Sequence, residues 1–135
     1  MGTVVLDTSV LLGVLDPQDA LHQAARAAVL EHRKAGHTFA APTSVLAETL
    51  VGAHRQGEST ARRTEAAIDI LISQFLPLDR EVTRAAAALR AATPSLRLPD
   101  AIVLATGRVL DAIAVLTGDK RWVGVDPRVE LIRPH

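Results

Sequence analysis

The chain has no cysteine and no tyrosine. The first absence removes a disulfide framework and every thiolate zinc site, and it fits a reducing compartment. Aromatic residues are scarce: Phe39, Phe75 and Trp122 are the only three. A base-stacking platform of the kind that single-strand binders use has little to be built from. No basic-then-apolar leader opens the sequence, and no apolar run reaches the ~18–20 residues of a membrane span. A cytoplasmic protein with no membrane attachment is expected. Charge of one sign is missing too, since Lys+Arg and Asp+Glu each number 15. Global electrostatics therefore neither call for nucleic acid nor exclude it.

What is present suffices for one domain over residues 1–135. A chain of that length buries roughly two-thirds of its unfolded surface and needs no covalent staple. Strand-like and helix-like segments alternate. "TVVL" (3–6) reads as a short buried strand that stops at a charge. Asp16-Pro17 marks a turn and a helix start, and Ala20, Leu21, Ala24, Ala25, Ala28 and Val29 recur at helical spacing toward Gly36. "HTFAA" (37–41) is a second strand. Residues 43–55 form a helix capped by Thr43 or Ser44. Two amphipathic helices follow at 60–74 and 80–92, with "QFLPL" as a short strand between them. Residues 98–110 make a helix apolar nearly all round, hence buried. "AIAVLT" (112–117) and "VELI" (129–132) are the late strands. Strands separated by helices predict an α/β fold: a mainly parallel sheet of four to five strands flanked by helices in three layers.

In such folds ligands sit beyond the carboxyl ends of the strands. Asp7 follows the first strand directly, and Asp119 follows "AVLT" after one glycine. Glu48 and Asp100 also interrupt apolar sequence, in "SVLAETLVG" and "LPDAIVLA". The other eleven acids lie mostly among polar neighbours. Each of the four has an ordinary explanation on its own: Asp7 or Asp100 as a helix cap, Asp119 as a turn residue, Glu48 as a solvated side chain. Together they are harder to dismiss. Unit charges about 4 Å apart repel by ~4 kcal/mol at an effective dielectric near 20, so a converged set calls for cations. Oxygen ligands without histidine or cysteine select Mg²⁺ or Mn²⁺. The five histidines (His22, His32, His37, His54 and His135) show no ligand spacing, and surface positions are expected for them.

The fragments "VVLDTSVLL", "APTSVLAETLVG", "LPDAIVLATG" and "LTGDKRW", in that order over essentially the whole chain, resemble the PIN-domain ribonucleases. Within them the likeness is to the VapC toxins of VapBC toxin–antitoxin pairs. The resemblance implies a PIN-like fold and a Mg²⁺- or Mn²⁺-dependent endoribonuclease that hydrolyses phosphodiester bonds. It maps the family's acidic metal and catalytic set onto Asp7, Glu48, Asp100 and Asp119. Thr8, Ser9 and Thr117 fall where hydroxyls support those acids, and Gly118 is a mild departure from a position that often holds another small residue. It also implies a homodimer, a VapB-like antitoxin partner and a larger assembly with it. Thirteen of the fifteen basic residues are arginine. Arg55, Arg62, Arg63, Lys120 and Arg121 are the candidates for holding RNA phosphates. Two rivals are weighed against this: a haloacid dehalogenase-type phosphatase, which needs an acid where this chain has Ser9, and a catalytically silent PIN-like binding module, which would lack part of the acidic set.

Overall fold

A computed structural model describes residues 1–134. Five strands form one sheet: β1 (Thr3–Leu6), β2 (Thr38–Pro42), β3 (Gln74–Leu76), β4 (Ala114–Thr117) and β5 (Val129–Leu131). Every pairing is parallel and the order is β3-β2-β1-β4-β5. Six helices flank it: α1 (Thr8–Leu15), α2 (His22–Lys34), α3 (Thr43–Arg55), α4 (Glu58–Leu71), α5 (Arg80–Ala92) and α6 (Leu98–Val109).

A parallel sheet covered by helices demands strands that are apolar throughout rather than alternating. The central pair obeys this. Val4, Val5, Leu6, Val115 and Leu116 have no exposed surface, and each such side chain contributes about 1.5–3 kcal/mol by leaving water. Helix α6 packs against β1, β2 and β4. It buries Val103, Leu104 and Ala105. Its approach to β4 is so close that a Cβ at Gly107 would lie 2.5 Å from Val115 Cγ2. Helix α1 packs on α2, α3 and β4.

The chain leaves β1 toward β2 and β3 on one side, then returns to place β4 and β5 on the other. The order therefore reverses between β1 and β4, and the crevice at their carboxyl ends is the topological switch point of the sheet.

Several local expectations need correcting. The helix that Asp7 could cap is present as α1, but the next one, α2, begins at His22 rather than beside Pro17. Asp16 and Asp19 turn their carboxylates onto the amides of Gln18 and Leu21, so the intervening residues form turns. Neither Thr43 nor Ser44 caps α3: Pro42, the last residue of β2, is its N-cap, and no side chain bonds there. The strand runs straight into the helix, and the Ser44 hydroxyl is buried without a partner. Three histidines are half-buried and bonded rather than free on the surface. His22 Nδ1 lies 2.7 Å from the Gly13 carbonyl, His32 pairs with Glu130 at 3.0 Å, and His37 accepts from the Gly2 amide. His54 is exposed, and His135 lies outside the described residues.

Candidate functional site

Asp7 stands at the junction of β1 and α1, where it is the N-cap of the helix. Its Oδ1 accepts from the Thr8 amide at 2.8 Å. Its Oδ2 accepts from Ser9 Oγ at 3.0 Å and from Thr117 Oγ1 at 2.8 Å. Each hydroxyl makes a second bond, that of Ser9 across the switch point and that of Thr117 within its own strand exit. Ser9 Oγ accepts from the Gly118 amide and Thr117 Oγ1 accepts from the Asp119 amide, each at 3.0 Å. The two side chains thus tie the exit of β1 to the exit of β4. The Asp7 amide adds a backbone bond to the Leu116 carbonyl. The Thr8 hydroxyl takes no part; it is buried with no partner.

Burial pushes the Asp7 carboxyl above the ordinary aspartate range, against the three hydrogen bonds, and the nearby charge of Asp100 adds to the rise. Asp100 sits in the first turn of α6. Burial raises it too; Arg97 and Arg121 oppose the rise and Asp119 reinforces it. Asp119 behaves oppositely. The Arg121 guanidinium bonds it through Nε and Nη2, the shortest contact being 2.6 Å, and these bonds hold its carboxyl below the usual range. Asp119 also caps the short 3₁₀ turn Lys120–Trp122.

These groups share one open cleft of about 910 Å³ at the switch point. Asp7, Glu48, Asp100 and Asp119 all line it, with Thr8, Ser9 and Lys120. Glu48 comes from the middle of α3 and is exposed. Of the basic residues singled out from the sequence, the fold brings Lys120 and Arg121 to this cleft. Arg55, Arg62 and Arg63 are not among its lining residues. Arg55 ends α3, two turns or about 10 Å along the axis from Glu48. Arg62 is paired with Glu58, and Arg63 bonds Ser59 and Thr60.

Sequence reasoning missed two residues of the cleft, Arg97 and Arg133. Arg97 Nε lies 3.8 Å from Asp100 Oδ2, and the i,i+3 spacing is a usable signal for it. Arg133 follows β5 at the same rim. A buried acid away from the cleft was missed as well. Asp126 is only 3 % exposed and is held by the Arg128 amide and the guanidinium groups of Arg108 and Arg128.

The donor chemistry suits a hard divalent cation: carboxylate oxygens at the rim of a sheet, those of Asp7 and Asp100 raised by burial, and the unpartnered hydroxyl of Thr8 beside Asp7. As the side chains lie, no three acidic or imidazole groups among the described residues stand close enough to enclose an ion. The reason is visible. Two of the four carboxylates are turned to arginines, which answer the mutual repulsion that the sequence assigned to metal alone.

The family model of the PIN domain matches residues 4–126, nearly the full length. The chain belongs to the PIN-domain family. Its fold is shared by solved structures of low sequence identity. A toxin–antitoxin complex from Klebsiella pneumoniae superposes with a TM-score of 0.74 at 23 % identity, covering 98 % of both chains. VapBC2 from Rickettsia felis, bound to promoter DNA, gives 0.72 at 15 % identity, covering 97 % of this chain and 98 % of that one. VapC20 of Mycobacterium tuberculosis, described as a sarcin–ricin loop cleaving toxin, gives 0.65 at 19 % identity, covering 90 % and 95 %. No curated protein sequence matches the chain. In this PIN domain the position two residues after the first acid is Ser9, whose hydroxyl donates to Asp7 instead of acting as a second acid. The dehalogenase-type phosphatase reading loses its acid/base group there.

Proposed function

We propose that the protein is a Mg²⁺- or Mn²⁺-dependent endoribonuclease and the toxin of a type II toxin–antitoxin pair. One observation carries the reading: four carboxylates far apart in the sequence line a single cleft at the switch point. A silent binding module has no use for such a set.

Asp7, Asp100, Asp119 and Glu48 are the residues that would hold the ion. A bound divalent ion supplies a nucleophilic water at neutral pH and neutralises charge that develops on the phosphodiester. The chain's own contribution is placement. Ser9 and Thr117 fix the rotamer of Asp7, and the same two hydroxyls fix the backbone that carries Asp119. Lys120, Arg121, Arg97 and Arg133 ring the cleft with positive charge suited to the RNA backbone. The toxin assignment draws on the structural neighbours, one of which is described as a toxin–antitoxin complex, one as a VapBC2 assembly on promoter DNA and one as a sarcin–ricin loop cleaving toxin. On that likeness the partner is a VapB-like antitoxin, the chain pairs as a homodimer, and the two proteins assemble into a larger complex in the cytoplasm. No described helix is long and apolar enough to cross a membrane.

Purified protein incubated with total RNA is expected to produce discrete fragments in MnCl₂ or MgCl₂ and none in EDTA. Hydrolysis of p-nitrophenyl phosphate is expected to stay at background. Intact RNA under every metal, with the phosphate ester hydrolysed, would sink the nuclease reading.

A further inference from the structure

Two arginines occupy the carboxylates of the cleft, and their manner of binding differs from that of the structural arginines. Arg128 is largely enclosed, with 24 % of its side chain exposed, and spreads over the Ala112 carbonyl, Asp111 and Asp126. Arg97 and Arg121 are 74 % and 64 % exposed, and among the described residues the only acids they pair with are Asp100 and Asp119 respectively. The Arg97 contact, at 3.8 Å, is an ion pair without a hydrogen bond. Ion pairs with arginines this open are weak in water. A guanidinium fork fits phosphate as well as it fits carboxylate.

We propose that Arg97 and Arg121 are exchangeable counter-ions: they hold Asp100 and Asp119 while the cleft is empty and pass to a phosphodiester when one enters, freeing both carboxylates. This rests on the nuclease reading and adds to it a coupling between the two ligands. Cation alone must compete with two arginines. A phosphodiester removes the competitors, so each ligand tightens the binding of the other by the same factor. Both side chains project into the cleft from short segments beside their acids, three residues before Asp100 and two after Asp119. A rotamer change therefore carries the guanidinium from acid to phosphate without moving the backbone.

Calorimetric titration of the full chain with Mn²⁺ tests this without reference to cleavage. Arg97→Gln and Arg121→Gln are each expected to tighten Mn²⁺ by about two- to fivefold, the range of an exposed ion pair. Arg121→Lys, which keeps the charge and loses the fork, is expected to fall between wild type and Arg121→Gln. Dimethyl phosphate, a hydrolysis-resistant phosphodiester, is expected to tighten Mn²⁺ in the wild type and to lose most of that effect in the double Gln variant. Unchanged or weaker Mn²⁺ binding in the double variant overturns the proposal. So does wild-type affinity in Arg121→Lys, which would leave only net charge, or a full dimethyl phosphate effect in the double variant. Absence of any Mn²⁺ binding by the wild type overturns the nuclease reading itself, and this one with it.

Discussion

Asp7→Asn is expected to abolish RNA cleavage and, in EDTA at pH 7, to raise the melting temperature. The activity loss follows from the placement of Asp7 among the candidate ligands. Charge stabilisation by a bound ion is worth several kcal/mol, and about 1.4 kcal/mol is a factor of ten, so at least a hundredfold loss is expected. The stability gain follows from burial. The Asp7 carboxyl is raised in the folded protein, chiefly by desolvation. A raised carboxyl favours the fold fully below the unfolded value and loses that contribution as pH rises through the folded one. At pH 7 the folded state therefore bears the cost of a carboxyl group whose charge its surroundings disfavour, and asparagine removes that cost. Asparagine can still accept the Thr8 amide and donate to the Ser9 or Thr117 hydroxyl. The gap in melting temperature between the two proteins should shrink as pH falls toward about 4, where aspartate is itself increasingly neutral. Calorimetry in EDTA at both pH values checks this. A variant that melts lower than wild type at pH 7 would show that the three hydrogen bonds outweigh desolvation.

Trp122→Ala is expected to cost about 3–5 kcal/mol in urea denaturation, the range for deleting a buried large aromatic side chain. Trp122 is 1 % exposed, among the most buried of the large side chains, and its indole N–H has no partner. The loss is thus one of packing, with no hydrogen bond forfeited. Its position makes the substitution informative about the cleft as well. Trp122 ends the 3₁₀ turn that Asp119 caps, so an emptied core beneath that turn loosens the acid above it. Trp122→Phe keeps much of the packed volume and should recover much of the stability. A fall in cleavage that persists in folded Trp122→Ala, and is relieved in Trp122→Phe, identifies the indole as the footing of Asp119. Equal stability of wild type and Trp122→Ala would refute the packing argument.

The parts of this molecule legible in sequence are those where a single physical effect outweighs the rest. Val4, Val5 and Leu6 run unbroken into Asp7, and Ala114 to Thr117 run into Gly118 and Asp119; burial on both faces of a parallel sheet writes that pattern directly. Helices α3, α5 and α6 are readable for similar reasons: long enough, periodic or uniformly apolar, and stopped near Gly57, Thr93-Pro94 and Val109. Helix α1 is not. "TSVLLGVL" is eight residues of nearly uniform apolarity, too short for a 3.6-residue period to declare itself. The pairing partners of charged residues are also hidden. In sequence Arg121 looks free for phosphate, yet it meets Asp119 through a 3₁₀ turn that no helical spacing rule anticipates. Asp126 sits in "VGVDPR", where no local pattern marks it as buried; only the tertiary approach of Arg108 and Arg128 encloses it.

The staples formed by Ser9 and Thr117 join the two innermost strands, β1 and β4, where local opening is costliest. The amides of Asp7 and Gly118 are tied across that seam, to the Leu116 carbonyl and to Ser9 Oγ. Both should exchange with deuterium only as slowly as the whole domain opens, while amides at the ends of α4 exchange fast. Warming would then leave the chemistry intact until cooperative collapse, with no intermediate range in which a folded but inactive form accumulates.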